Sequence, residues 1–306
     1  MFNRNAKHSL VAAMAVLALI GIVGAARLQS QNSRSVLIRP APAADQRIAY
    51  GKDEFQFGEL RLPKTAGPHP VAVVIHGGCW SSQYGLGYMG HVSAALAEAG
   101  IATWNIEYRR VGNAGGGWPG TFKDAAKAAD YLREVADQNY KSLLDLNRVV
   151  AIGHSAGGHL ALLLGARQRL PKDHPLYSAG ALPLVGVVSL AGITDLRKTG
   201  TACDKEVIQL MNGEAKEKAA SYNLASPIQL LPLGVKQKII QGGADNIIPM
   251  AMATEYVEAA KMKNDDVELI ALKEADHFQL VDPKSPAWLV VREAVLSLLK
   301  SSEKAK

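Results

Sequence analysis

The chain has 306 residues, 48% of them hydrophobic, with a mean hydropathy of +0.01, enough to bury a large core within one α/β domain. Its formal charge of +6 sits at the start: residues 1–44 hold Arg4, Lys7, Arg27, Arg34 and Arg39 and no acid, leaving 29 basic against 28 acidic residues in the rest. That near-neutral remainder excludes an electrostatic case for nucleic acid, and no nucleic-acid partner is expected.

In chain order, Arg4 and Lys7 precede an uncharged apolar run, residues 10–23, and then the small residues Gly24, Ala25 and Ala26. This is the pattern of a signal peptide, residues 1–26, cut near Ala26. If retained, the run nears the length that crosses a bilayer and would be an N-terminal anchor, the only membrane contact expected. Either way the folded domain is expected outside the cytoplasm, periplasmic or secreted. Residues 27–44 read as a disordered tether. The domain then occupies residues 45–302.

Residues 47–62 alternate in the manner of an antiparallel edge hairpin. Residues 71–75, all apolar, read as a strand buried on both faces of a parallel sheet. They lead into His76-Gly77-Gly78-Cys79-Trp80. Strands are expected over residues 101–107, 149–153, 184–190, 238–241 and 267–272, and helices over 92–99, 250–262 and 286–299. This alternation implies a mostly parallel, doubly wound sheet with helices on both faces. Residues 192–234 interrupt it, and a small cap over the carboxyl ends of the strands is expected there.

The centre of the chain is Gly153-His154-Ser155-Ala156-Gly157, with an apolar run before it and a helix-like run after it. That is G-x-S-x-G between strand and helix, a nucleophile elbow. Its turn is so tight that side chains flanking the serine would meet backbone, which glycine avoids. A serine hydroxyl needs a base within reach and a group to orient that base. In such a fold they follow in the order serine, acid, histidine. Asp245 and His277 come in that order, each in a loop after an expected strand. Of the other histidines, His8 lies in the leader, and His69, His91 and His174 follow no strand end. His76 is expected to brace its own loop by backbone contacts, and His154 or His159 to line the pocket. Asp276 points away from its neighbour His277, and Asp195 comes too early in the order; both are expected to be structural.

Amide donors for an oxyanion are expected from Ala156 at the elbow and from Gly78 and Cys79 in the glycine loop, with Gly77 giving the bend. Trp80, His154 and Trp118 are the candidate substrate contacts. The glycine cluster at 112–120 lacks phosphate-loop spacing. His154 and His159, five apart, do not share a helix face, so neither metal nor cofactor is expected. Two cysteines, Cys79 and Cys203, define no framework. Export would permit a bridge, but small buried side chains are the plainer expectation.

The HGGCW loop, the GHSAGG elbow, Asp245 and His277 resemble the α/β-hydrolase superfamily over roughly residues 47–300. The HGG-x-W loop and Glu107-Tyr108-Arg109 are similar to the esterase/lipase branch near hormone-sensitive lipase and the kynurenine formamidases. Ala225-Ser226-Pro227-Ile228 resembles prolyl-oligopeptidase-type domains. Relatives of hormone-sensitive lipase carry a third glycine where this chain has Cys79. The resemblance implies an α/β-hydrolase fold and a serine hydrolase of small-molecule carboxylic esters acting through an acyl-serine. An amidase, arylformamidase or prolyl-oligopeptidase-like peptidase with the same three residues is the alternative. A binding protein on the same scaffold is a third reading; it usually shows a broken set, whereas here every member is present.

Overall fold

The computed structural model describes residues 33–301. Among them, eight strands form one sheet in the order β1-β2-β4-β3-β5-β6-β7-β8. They are β1 (Gln46–Ala49), β2 (Phe57–Arg61), β3 (His69–Ile75), β4 (Ala102–Ile106), β5 (Leu144–His154), β6 (Gly186–Leu190), β7 (Lys236–Gly242) and β8 (Val267–Leu272). The hairpin β1–β2 is antiparallel, and β2 joins β4 antiparallel. All other pairings are parallel. This is the α/β-hydrolase fold.

Period-two alternation divides the core into two layers. Val71, Val73, Ile75, Val149, Ala151 and Val187 face one side of the sheet. Their neighbours Ala72, Val74, Val150, Ile152 and Val188 face the other. Helices α2 (Gly120–Asp130), α3 (Ala156–Ala166) and α6 (Met250–Met262) cover the first side. Helices α1 (Gly90–Glu98) and α7 (Ala287–Ser301) cover the second. Both layers being covered explains why the central strands are continuous apolar runs. Between β6 and β7 lie the short helices α4 (Asp204–Met211) and α5 (Ala219–Ala225).

Two expectations change. Residues 33–44 are not a free tether. Arg34–Leu37 form a 3-10 turn, Val36 is fully buried, and Arg61 Nη2 donates to Pro42 O at 2.8 Å. The reason is tertiary: Val36 fills the layer beside α1 and α7. Residues 27–32 and the leader lie outside the described residues. The cysteines are also not separate buried side chains. Cys79 and Cys203 form a disulfide, with Cα atoms 5.3 Å apart.

Burial also sets an acid limit on stability. His159, on α3, is fully buried, and Nε2 donates to Ala225 O at 2.8 Å. Burial holds its imidazole down to about 4. The unfolded chain takes up a proton near 6.5, so this stability is complete above that pH and is lost as pH falls towards 4, by about 3 kcal/mol. Buried His154 acts in the same direction. The urea midpoint is expected to fall between pH 7 and 5, and His159→Phe to flatten that slope. An unchanged slope in the variant would remove His159 as its source.

Candidate active site

The carboxyl ends of the parallel strands bring the site together, where ligands sit in open α/β sheets. Ser155 lies between β5 and α3, with φ 55° and ψ −121°. Its N–H donates to Leu190 O at the end of β6, 2.8 Å away. The flanking glycines are required by contact. A Cβ on Gly153 would lie 2.0 Å from Gly157 O, and one on Gly157 would lie 2.2 Å from Ile75 O.

Asp245 follows β7 and is anchored on every side. Ile247 N and Ile248 N donate to Oδ1 at 2.8 and 2.9 Å, and Gln241 Nε2 donates to Oδ2 at 3.0 Å. Oδ2 also receives His277 Nδ1 at 2.7 Å. With Nδ1 so engaged, Nε2 is left for other chemistry. The loops holding the two residues are joined by Ala244 N donating to Ala275 O at 3.0 Å. Ser155 and His277 line one cavity of about 410 Å³, together with Gly78, Cys79 and His154.

A second set of buried contacts ties the glycine loop to the elbow. Gly77 N donates to Tyr88 Oη at 2.6 Å, and Tyr88 Oη donates to His154 Nδ1 at 2.9 Å. His154 Nε2 then donates to His277 O at 3.0 Å. Burial, with His277 alongside, holds the His154 imidazole well below its ordinary value. Burial pushes the Tyr88 phenol up, so it remains a donor. Tyr88→Phe leaves Gly77 N–H and His154 Nδ1 buried and unpaired, a cost of about 1–3 kcal/mol each. A fall in unfolding free energy of that order is expected in urea; a change below about 0.5 kcal/mol would show the link to be slack.

His76 is braced more elaborately than its own loop requires. Nδ1 lies 2.8 Å from Gly77 O, and Nε2 lies 2.8 Å from Glu107 Oε1. Glu107 also accepts from Leu86 N and Tyr108 N at 3.1 and 2.9 Å. Burial alone would raise Glu107, but His76, Arg110 and the Tyr108 amide outweigh it and leave the carboxyl below its ordinary value. Tyr108 stacks on His76 at 4.3 Å and donates to His76 O at 2.8 Å. Glu107, Tyr108 and Tyr88 thus support the loop; the only sequence signal was the resemblance of Glu107-Tyr108-Arg109 to the esterase/lipase branch, and Tyr88 had none.

Each expected contact now has a location. Gly78, with φ +98°, and Cys79, with φ 50°, present backbone N–H groups that meet no acceptor among the described residues. The Ala156 N–H opens α3. Both tryptophans expected at the pocket lie elsewhere. Left-handed backbone at Cys79 and Trp80 turns the Trp80 indole inward, fully buried and edge-on to His159 at 5.1 Å. The Trp118 ring packs edge-on to Phe122 at 4.8 Å, and the Trp118 backbone N–H donates to Leu210 O at 2.7 Å. Asp276 accepts from Phe278 N and Gln279 N, and Asp195 pairs with Arg197. Among the described residues no three His, Cys, Asp or Glu side chains gather as metal ligands would.

An elbow serine beside an Asp–His pair, on a mostly parallel eight-stranded sheet, defines a member of the α/β-hydrolase class. The chain belongs to the BD-FAE family, an esterase family of that class, whose model matches residues 59–259. Among curated proteins it is 27% identical over 250 residues to Esterase LipC of Mycobacterium tuberculosis. It is 23% identical over 229 residues to the probable carboxylic ester hydrolase LipM of the same organism. The matches cover 78% and 71% of this chain but only 60% and 51% of those relatives. Two solved structures share the fold. One is a truncated carbohydrate esterase from gut microbiota, with TM-score 0.72 and 19% identity, covering 86% of this chain and 100% of that one. The other is Thermogutta terrifontis esterase 2, with TM-score 0.69 and 19% identity, covering 86% and 96%.

Proposed function

We propose that the protein is a serine hydrolase of small-molecule carboxylic esters, working through an acyl-serine. The observation that carries this is the 2.7 Å bond from His277 Nδ1 to Asp245, with His277 and Ser155 lining one cavity. Ser155 Oγ attacks the ester carbonyl carbon, and its proton passes to His277 Nε2. The Gly78, Cys79 and Ala156 amides hold the oxyanion. His277 returns the proton to the departing alcohol oxygen, and the acyl group stays on Ser155. Water then gives a proton to His277 Nε2 and attacks the acyl carbonyl carbon; the bond to Ser155 Oγ breaks, the carboxylic acid departs, and His277 returns the proton to Ser155 Oγ. His154 borders the cavity and contacts substrate.

Relatives named as esterases support the ester over the amide. Export is part of the proposal. The apolar run at residues 10–23 fits it, and so does the Cys79–Cys203 bridge, because disulfides persist in oxidising compartments. The test pairs hydrolysis of p-nitrophenyl acetate and butyrate with fluorophosphonate labelling. Turnover and a label on Ser155 are expected. An unlabelled Ser155 in folded protein would reject the acyl-serine, and labelling with turnover of amides alone would reject the ester.

A further inference from the structure

The segment that precedes the sheet crosses the loop that carries His277. Ser33 Oγ donates to Asp276 Oδ2 at 2.7 Å. The Arg34 guanidinium lies 5.7 Å from the centre of the Phe278 ring. Arg39 Nη2 donates to Asp282 Oδ1 at 2.7 Å. Asp276 and Phe278 are the two chain neighbours of His277, so the strap holds the loop on both sides of it. Val36, buried in the layer beside α1 and α7, anchors the strap. The strap also packs against the turn Leu86–Met89 that carries Tyr88. The next residue, Leu37, is half-buried and lines the cavity shared by Ser155 and His277.

We propose that residues 33–39 are a working part of the substrate site. Leu37 is the specificity-determining wall against the acyl chain of the ester, facing the same cavity as Ile247 and Phe278. Ser33 and Arg34 are positioning residues that fix the loop of His277. This rests on the acyl-serine reading. An acetyl group leaves an apolar wall little to touch, whereas each further methylene buried there adds to transition-state binding. Positioning of the base, by contrast, affects every ester alike.

The experiment uses the full chain and measures kcat and KM on p-nitrophenyl acetate and butyrate. Leu37→Ala is expected to lower kcat/KM for butyrate about fivefold or more, and for acetate less than twofold. Leu37→Phe, which keeps the strap's apolar contacts, is expected to lower the butyrate-to-acetate ratio by crowding the chain. The pair Ser33→Ala and Arg34→Ala is expected to lower kcat on both esters about threefold or more at unchanged KM. A ratio within twofold of the parent in both Leu37 variants would overturn the wall, and an unchanged kcat in the pair would overturn the positioning role. Fluorophosphonate labelling of the parent separates this from the reading beneath it. A labelled, active parent with indifferent strap variants sinks only the strap.

Discussion

Ser155→Ala is expected to lower kcat on p-nitrophenyl butyrate by three orders of magnitude or more, with the fold intact. The substitution deletes the oxygen proposed to attack the ester and keeps the backbone. The unusual φ of 55° is imposed by the crossing of β5, α3 and the end of β3, where Gly157 packs against Ile75 O and His76 O. Alanine meets the same backbone demand as serine, so the unfolding free energy in urea is expected to stay within about 1 kcal/mol of the parent. His277→Ala and Asp245→Asn are expected to cost kcat heavily too, the acid less than the base. Residues that act as one unit do not add, so Ser155→Ala with His277→Ala should lose little beyond the worse single variant. If Ser155→Ala kept more than a tenth of the parent kcat, the nucleophile would have to be sought elsewhere. If the double variant lost the product of the two factors, the residues would not be acting together.

Much of this was legible because local chemistry and global fold agree at the same residues. The apolar runs within β3, β5 and β6 are continuous because helices cover both layers. The elbow announces itself through glycines that the backbone contacts demand. The order of Ser155, Asp245 and His277 follows from loops at one edge of a parallel sheet. What was hidden depends on distant partners. Residues 33–39, Ser-Arg-Ser-Val-Leu-Ile-Arg, hold three apolar residues in a row between polar ones, too short a run to show a periodic apolar face. Their order comes from one buried valine and from Asp276 and Asp282, more than 240 positions away. Tyr88 reaches His154 across 66 positions, and no pattern around Tyr88 marks it. Trp80 was misplaced because its sequence position beside the glycine loop does not reveal that two successive positive φ values turn the indole into the core.

Removing the bridge with Cys203→Ala is expected to damage both stability and turnover. The bridge joins residues 124 positions apart. In the chain-entropy account a loop of that length contributes about 5 kcal/mol, an upper figure when the unfolded chain keeps structure. Its placement matters more for the chemistry. Cys79 holds φ 50°, a conformation that favours glycine, and its amide is one of the proposed oxyanion donors. Cys203 is fully buried and stands at the N-cap of α4, whose Glu206 and Gln209 line the cavity. The bridge therefore couples the donor loop to a wall of the pocket. Without it, Cys79 can relax towards negative φ, which swings its N–H away from the oxyanion. Losing one such donor costs about 3 kcal/mol in the barrier, or about 100-fold in kcat. Partial relaxation sets the expected fall at tenfold or more, with KM changed less than kcat. Dithiothreitol treatment of the parent should reproduce it, and reoxidation should restore activity. Cys79→Gly with Cys203→Ala should recover part of the kcat but not the stability, because glycine adopts the positive φ freely while the cross-link remains absent. A loss of stability with kcat unchanged in Cys203→Ala would show that the loop keeps its shape unaided and that the bridge serves the fold alone.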